Sequence, residues 1–264
     1  MNDQGVKTAA ELIILGSGSA IPVAYRRPAG YLIRFSDETL LFDLGPGSIH
    51  SAARYGAVST ISVIFLTHHH VDHCLDLGTL LFSLPLLKRH LGVDYRPRIV
   101  AHPEVIDFLN GWFGQNPFLA PDQIAWIALT PGKRWLTPGG AEVWAAQVNH
   151  ISSSLAFRVV KDGLSFVYSG DTSWSDALCQ LAEQADVLIL ECSHQHQTRS
   201  HLDPESARTL ARLAGVRNLI LSHFYPDMLK RAVQQRLMKA PEGFRIYLAR
   251  DGLRLRFPSP SPVG

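Results

Sequence analysis

The 264-residue sequence predicts a layered α/β sandwich. Two observations indicate this fold class. Each half of the chain holds several apolar runs of strand length separated by turn residues, and each half also holds a stretch with the period of an amphipathic helix. Two strand-rich halves, each with its own helices, are typical of packed sheets covered by helices and not of one doubly wound sheet.

The first half begins with strands that are joined by tight turns. A stripe of leucines then predicts a helix over residues 75–91, in which Pro85 introduces a kink because proline has no amide N–H. The strands predicted in this half are residues 12–15, 31–35, 40–43 and 61–66, the middle two forming a hairpin.

A helix in the second half has clear start and stop signals. Asp203 is a favourable N-cap, Pro204 suits the first helical position, and Gly215 ends the apolar stripe. The strands predicted in this half are residues 142–148, 156–160, 164–168, 186–190, 218–221, 245–248 and 253–257.

The composition excludes several classes of protein. Hydrophobic residues make up 46% of the chain and charged residues 18%, which is typical of a folded core. Lysine and arginine (25) nearly balance aspartate and glutamate (23), which argues against a broad nucleic-acid or membrane-binding face. No apolar run reaches about 18 residues, so we expect no membrane span, and we see no secretory signal.

The three cysteines, Cys74, Cys179 and Cys192, form neither a C-x-x-C pair nor an even disulfide set. We therefore expect buried thiols in a cytoplasmic protein. We predict a single domain over residues 1–257, followed by a disordered tail at residues 258–264, which are rich in proline and serine.

The most informative feature is a cluster of histidines directly after a predicted strand. Residues 67–73 are Thr-His-His-His-Val-Asp-His. Alternate residues of an extended segment face the same side, so His68 and His70 can converge on one point. Asp72 and His73, where the chain turns into a helix, can face a neighbouring point. The segment therefore predicts part of a metal site.

Three further metal-binding side chains follow predicted strands in the second half. These are His150, Asp171 and His223, and each lies just past the carboxyl end of its strand, as His68 does in the first half. Ligand sites of α/β proteins gather at this edge of the sheet. We therefore expect all of these side chains to meet there.

Imidazoles and carboxylates suit zinc, manganese or iron, and the absence of thiolates from the set excludes a closed cysteine-type zinc site. The set is large enough for two divalent metal ions, of which zinc is favoured, with an activated water between them. The predicted ligands are His68, His70 and His150 for one ion, Asp72, His73 and His223 for the other, and Asp171 as a bridge.

This order of motifs resembles the metallo-β-lactamase-fold hydrolases, and within them the ribonuclease Z-like branch. The resemblance runs from about Leu12 to Phe257 and implies a four-layered αββα sandwich with the metal site at the carboxyl edge of the strands. It also implies that Asp72 assists the attacking water, that Asp171 bridges both metals, and that the protein forms a homodimer. The matching stretches are residues 16–19, 41–45, 68–73, 169–172 and 221–223, together with His150.

A further match concerns the proton donor. Glu191-Cys192-Ser193-His194 and His201-Leu202-Asp203-Pro204 resemble the stretch in which ribonuclease Z-like phosphodiesterases carry a paired glutamate and histidine. The resemblance implies that His201 protonates the leaving oxygen or holds a phosphate, and that Glu191 orients it. His194 and His196 lie in the same loop and are alternatives.

The resemblance favours a phosphodiesterase that acts on a small, perhaps cyclic, substrate. Ribonuclease Z enzymes that mature transfer RNA usually carry a long arm between the positions of His150 and Asp171, whereas only twenty residues separate them here. RNA is therefore not favoured as a substrate. The alternatives are a thioester or lactone hydrolase on the same metals, a ribonuclease Z-type RNA endonuclease without the arm, and a non-catalytic nucleic-acid-binding module.

Two other groups of residues stay open. Arg26 and Arg27 are expected to be solvated surface charges, with a grip on a substrate phosphate as the alternative. The aromatic side chains of the stretch before residue 130 are expected to pack in the core, with a lid, a substrate wall or a dimer surface as alternatives. These aromatic residues are Trp112, Phe113, Phe118 and Trp126.

Overall fold

The computed structural model describes residues 8–116, 118–119, 121–238 and 243–258. Its strands form two sheets of seven, and helices cover the outer face of each sheet. This arrangement confirms the predicted αββα sandwich. Pro258 ends the last strand, and the rest of the predicted tail lies outside the described residues. The single domain over residues 1–257 stays a prediction.

The first sheet combines the beginning and the end of the chain. Its order is β14-β1-β2-β3-β4-β5-β6, antiparallel from β14 to β3 and parallel from β3 to β6. The strands are β1 (Thr8–Gly16), β2 (Gly30–Phe35), β3 (Thr39–Phe42), β4 (Ile61–Phe65), β5 (Arg98–Ala101), β6 (Ala125–Ala128) and β14 (Arg254–Pro258).

The second sheet has the order β13-β12-β11-β10-β9-β8-β7. It is parallel from β10 to β13 and antiparallel from β7 to β10, so β8, β10, β11 and β12 all run in one direction. The strands are β7 (Arg134–Leu136), β8 (Glu142–Gln147), β9 (Leu155–Lys161), β10 (Leu164–Tyr168), β11 (Val187–Glu191), β12 (Asn218–Ser222) and β13 (Arg245–Leu248).

Among the described residues, seven α-helices complete the outer layers. On the first sheet lie α1 (Ser48–Ala53), α2 (Val71–Cys74), α3 (Asp76–Leu91) and α4 (Pro103–Phe113). On the second sheet lie α5 (Asp176–Leu181), α6 (Pro204–Leu213) and α7 (Arg231–Leu237). Within the described part of the chain, none of these helices has the length and apolar character needed to cross a membrane.

The core between the sheets consists of apolar side chains from both. Phe65 of β4 stacks on Phe42 of β3 with ring centres 4.8 Å apart, and it meets Phe157 of β9 at 5.2 Å. Burial of each aromatic ring contributes about 2–3 kcal/mol to folding. The contact between Phe65 and Phe157 packs one sheet against the other, and therefore keeps the strand ends of the two sheets close together.

The two helices that the sequence predicts are present in the structure as α3 and α6. Asp203 caps α6 by accepting a hydrogen bond from the amide of Ser206 at 2.9 Å, as predicted. The helix predicted over residues 75–91 is α3, and a separate turn of helix, α2, which was not predicted, precedes it. Cys74 and Cys192 are buried free thiols, whereas Cys179 is only partly buried.

Candidate metal centre

The structure brings all seven predicted donors together at the carboxyl edge of the two sheets. Four of them follow strand ends directly: His68 after β4, His150 after β8, Asp171 after β10 and His223 after β12. The donor atoms of each of two groups lie within 4.8 Å of one another. One group is His68, His70, His150 and Asp171, and the other is Asp72, His73 and His223.

Asp171 lies between the two groups. Its Oδ1 is 3.3 Å from Nε2 of both His73 and His223, and its Oδ2 is 3.9 Å from Nε2 of His150 and 4.0 Å from Nε2 of His68. One carboxylate oxygen therefore faces each group. This is the position that a bridging ligand requires.

The backbone reaches this position through a close approach. Gly170, just before Asp171, has a φ of +57°, and a Cβ at this residue would lie 2.7 Å from Cβ of Thr67. Only glycine fits there without displacing Thr67. His223 also has a positive φ, +58°, which is uncommon outside glycine and occurs at sites where the surrounding structure holds the strain.

Two buried atoms of the cluster have no hydrogen-bond partner among the described residues. They are Oδ1 of Asp171 and Nε2 of His68. Leaving such polar atoms buried and unpaired costs about 1–3 kcal/mol each. A divalent cation in each donor group would satisfy one of these two atoms, and imidazole nitrogens with carboxylate oxygens match the preferences of zinc, manganese and iron. The residues therefore fit the metal ions that the sequence predicts.

Four of the imidazoles are held by a second contact through Nδ1, which leaves Nε2 for the centre of the site. Such contacts fix the ring orientation and tautomer of metal-binding histidines. The Nδ1 contacts are His73 to Asp43 (2.7 Å), His223 to the Ser193 hydroxyl (2.9 Å), His68 to the Thr67 hydroxyl (3.0 Å) and His150 to the Ser200 carbonyl (3.1 Å).

Asp43 is the functional residue that the sequence reasoning did not assign. It follows β3, is fully buried, and has a φ of +58°. Its carboxylate accepts hydrogen bonds from the amide and hydroxyl of Thr67, from the hydroxyl of Tyr168 at 2.7 Å, and from His73. The available signal was its place in the stretch 41–45, which matches the family but carries no ligand.

Burial keeps three of the histidines neutral. It lowers the pKa of His68 well below its usual value, and it lowers the pKa of His70 and His150 as well. A neutral imidazole is the form that binds a metal ion.

At His73, the neighbouring carboxylates affect the pKa more strongly than burial does. Burial lowers the pKa of His73, but the carboxylates of Asp171 and Asp43 outweigh it and raise that pKa well above its usual value. Burial likewise raises the pKa of Asp171, but His223 and His73 outweigh it and hold that pKa far below the usual range. The cluster without metal therefore holds opposite charges in contact, and a bound cation would take the place of the proton on His73.

His201 stands beside the cluster and is held by Glu191. Its Nδ1–H donates to Oε1 of the buried Glu191 at 2.9 Å, and the same oxygen accepts the amide of Thr172 at 2.7 Å. The hydroxyl of Ser193 donates to the other carboxylate oxygen. Burial lowers the pKa of His201, but the hydrogen bond to Glu191 outweighs it and the pKa is raised. Its Nδ1 is 4.0 Å from Oδ2 of Asp171.

A cavity of about 450 Å³ opens onto the cluster. His201 lines it, whereas His194 and His196 are not among its described lining residues. His194 instead packs against Tyr225 with ring centres 4.4 Å apart, and His196 lines a different cavity beside α6. The lining residues are Ala20, His69, His70, Val71, Asp72, Phe108, Trp112, His150, Asp171, His201 and Tyr225.

Arg26 and Arg27 lie outside this cavity. Arg26 donates to the hydroxyl of Ser17 at 2.7 Å and to the carbonyl of Ala249 at 2.6 Å, and Arg27 forms an ion pair with Asp251 at 3.4 Å. These arginines therefore fasten the loop after β1 to the C-terminal part of the chain. Neither is among the described residues that line the cavity, and the Arg27 side chain is 39% exposed.

The aromatic residues divide into two groups. Phe113 is buried and Trp126 packs against the same core cluster, as expected. Phe108 and Trp112 of α4 are 45% and 43% exposed and line the cavity, and Phe118 is 75% exposed. The expectation of core packing is therefore wrong for Trp112, because the opposite face of α4 supplies the core side chains, and for Phe118, which lies after the end of α4.

Similarity to known proteins identifies the family of this chain. A family model described as a beta-lactamase superfamily domain matches residues 38–224. The chain is 30% identical over 272 residues to ribonuclease Z of Mycobacterium marinum, and the match covers 91% of this chain and 96% of the relative.

Two solved structures share the fold. The metallo-β-lactamase-fold protein YhfI from Bacillus subtilis has a TM-score of 0.82 at 22% identity, covering 95% of this chain and 100% of its own. A diphosphatase from the PhnP family has a TM-score of 0.76 at 23% identity, covering 94% and 98%. The chain belongs to the beta-lactamase superfamily and, within it, to the ribonuclease Z-like branch.

Proposed function

We propose that this protein is a dinuclear metal-dependent phosphodiesterase that uses His201 as its general acid. The observation that carries the proposal is the position of His201, which is held by the buried Glu191 and lines the same cavity as the carboxylate of Asp171. Cleavage of a phosphodiester leaves an alkoxide that needs a proton, and a positioned histidine is suited to supply it.

The two groups of donors would hold one cation each. Two divalent cations, when bound, polarise the phosphodiester, neutralise the charge that develops on it and lower the pKa of a water molecule. Zinc fits the donor set, and manganese and iron are the alternatives. The first cation would be held by His68, His70 and His150, the second by Asp72, His73 and His223, and both by Asp171.

Asp72 would orient the attacking water. It lines the cavity, and its Oδ2 is 3.4 Å from Nε2 of His223. Burial raises the pKa of Asp72, but the hydrogen bond from His223 and the charge of His73 outweigh it and lower that pKa. Asp72 is therefore ionised at neutral pH and can accept a hydrogen bond from the water.

His201 completes the reaction. As the water oxygen forms its bond to phosphorus, the bond to the leaving oxygen breaks, and that oxygen takes the proton from Nε2 of His201. One proton of the water stays on the product phosphate, and the other is released and restores the proton on Nε2. The Nδ1–H of His201 continues to donate its hydrogen bond to Glu191, which keeps the ring in the orientation that presents Nε2. The raised pKa of His201 increases the fraction that carries both protons near neutral pH.

We propose a small phosphodiester as the substrate. The Mycobacterium marinum relative is a ribonuclease Z, but in this chain the residues between His150 and Asp171 form only β9, β10 and their tight turn. No lysine or arginine is among the described residues that line the cavity, so the lining offers little positive charge to bind a polyanion. A homodimer and a cytoplasmic location stay predictions.

The test combines elemental analysis with turnover of three substrates. We expect about two metal ions per chain and cleavage of bis(p-nitrophenyl) phosphate. Hydrolysis of a thioester without phosphodiester cleavage would favour carboxylic-ester chemistry, which has less use for His201. Cleavage of precursor transfer RNA alone would favour the ribonuclease Z activity. One metal ion per chain in a fully active enzyme would contradict the dinuclear centre.

A further inference from the structure

The side chains of His69, Phe108 and Trp112 form an aromatic wall along one side of the cavity. Phe108 and Trp112 lie four residues apart on α4, so both project from the same face of the helix. Their ring centres are 5.8 Å apart. All three residues line the cavity that also contains Asp72 and Asp171. The wall and the donor cluster therefore belong to one binding space.

His69 lies within the triple histidine but belongs to neither donor group. Its ring stacks on Phe108 with centres 4.2 Å apart and planes 28° apart. Its Nδ1 is buried and has no hydrogen-bond partner in the part of the chain that the structure describes. The role that this geometry gives to His69 is packing: it backs the Phe108 ring and fixes its position beside the donors.

The core does not need the exposed aromatic rings of α4. Val105, Leu109 and Phe113 form the buried face of this helix. Phe108 and Trp112 lie on the other face and leave nearly half of their surface exposed. Large aromatic side chains that stay exposed beside a polar site are typical of ligand-binding surfaces.

We propose that the aromatic wall binds the base of a nucleotide, and that the substrate is therefore a small phosphodiester with a single nucleobase close to the scissile bond. This inference rests on the proposed phosphodiesterase function and names its substrate class. Any nucleobase can stack on aromatic side chains, because every base has a flat π face. Each stacked base contributes about 1–3 kcal/mol to the binding free energy. The absence of lysine and arginine from the described lining favours a substrate with one phosphate over a nucleic-acid strand.

A binding experiment isolates the contribution of the ring. The metal-loaded protein is titrated by calorimetry with adenosine 5′-monophosphate and with ribose 5-phosphate, which carries a hydroxyl at C1 in place of the adenine. We expect the nucleotide to bind about 10-fold more tightly. In Phe108→Ala this ratio falls towards one, while the affinity for ribose 5-phosphate is unchanged. Phe108→Tyr keeps an aromatic ring and restores the ratio.

A turnover experiment uses a matched pair of five-membered cyclic phosphodiesters, adenosine 2′,3′-cyclic phosphate and glycerol 1,2-cyclic phosphate. We expect Phe108→Ala to lower kcat/KM by about 10-fold for the adenosine compound only. Phe118→Ala is the control, since Phe118 is an exposed aromatic residue that is not among the described lining of the cavity. It should leave both values unchanged.

The outcomes separate this inference from the proposed function. Equal losses on both substrates, or equal binding of the two phosphates by the unaltered protein, would overturn the aromatic wall as a base-binding surface. Efficient cleavage of precursor transfer RNA that exceeds cleavage of the cyclic nucleotide would overturn the small substrate. If neither cyclic phosphodiester is cleaved, the proposed function fails for this class, and the calorimetric ratio alone decides whether the wall binds a base.

Discussion

Asp43 accepts a hydrogen bond from Nδ1 of His73 at 2.7 Å, and both side chains are completely buried. Asp43 is therefore the group that aims Nε2 of His73 at Asp171. Histidines that bind metals commonly donate their other ring N–H to such a carboxylate. Loss of this carboxylate typically lowers metal affinity 10–100-fold.

The first prediction follows from this contact. Asp43→Asn keeps the shape of the side chain and tolerates the positive φ, but it removes the charge that faces His73. We expect metal affinity to fall about 10–100-fold, measured by competition with a chelator of known affinity. Glu142→Gln, an exposed carboxylate on β8, is the control. Unchanged affinity in Asp43→Asn would show that Asp43 serves only the fold.

The second prediction concerns the shared carboxylate. Asp171→Ala removes the residue that contacts both donor groups, so we expect metal content and phosphodiesterase activity to be lost together. Elemental analysis and turnover are measured on the same sample, and circular dichroism checks that the chain is folded. Two retained metal ions in a folded variant would mean that Asp171 bridges nothing.

The third prediction separates proton transfer from metal binding. His201→Ala should keep both metal ions and slow turnover by about 10²–10⁴-fold on a substrate with a poor leaving group. The loss should be much smaller with p-nitrophenolate, which leaves without a proton. Because His201 also lies near Asp171 and His223, elemental analysis decides between two roles. A variant that loses a metal ion would identify His201 as a ligand.

The fourth prediction concerns stability and pH. Glu11 on β1 is 8% exposed and accepts hydrogen bonds from Arg254 and Arg256 on the neighbouring β14. Burial raises the pKa of Glu11, but the two arginines outweigh it, so the folded pKa lies below the unfolded value. Its contribution to stability is therefore present above the unfolded pKa and is lost as the pH falls through the folded one.

Glu11→Gln should lower the free energy of unfolding by about 1 kcal/mol at pH 7, since the arginines are partly exposed. The difference from the unaltered protein should vanish below the folded pKa. Urea unfolding at neutral and acidic pH measures it. A difference that is constant with pH would show that packing, not charge, accounts for the effect.

The sequence was sufficient for the fold class and for the meeting of the donors. Strand ends are marked by apolar runs, and parallel strands place their carboxyl ends at one edge, so His68, His150, Asp171 and His223 could be brought together from their order alone. The short strands β5, β6 and β7 were not predicted, because runs of three or four residues carry too little periodicity to distinguish a strand from a loop.

Other features depend on tertiary contacts that no local pattern records. Asp43 is distinguished by accepting hydrogen bonds from two segments that are remote in sequence, residues 67–73 and the end of β10. The exposure of Trp112 depends on which face of α4 meets the first sheet. The position of His201 inside the cavity and of His194 outside it depends on how one irregular loop folds over β11 and β12.

The donors are divided between the two halves of the chain. His68, His70, Asp72 and His73 come from the first sheet and its helices, whereas His150, Asp171 and His223 come from the second. Each cation would thus be gripped from both sides and would act as a removable cross-link between the sheets. Loading would stabilise the whole molecule in proportion to the logarithm of free metal concentration, so a chelator would lower the melting temperature as well as the turnover rate.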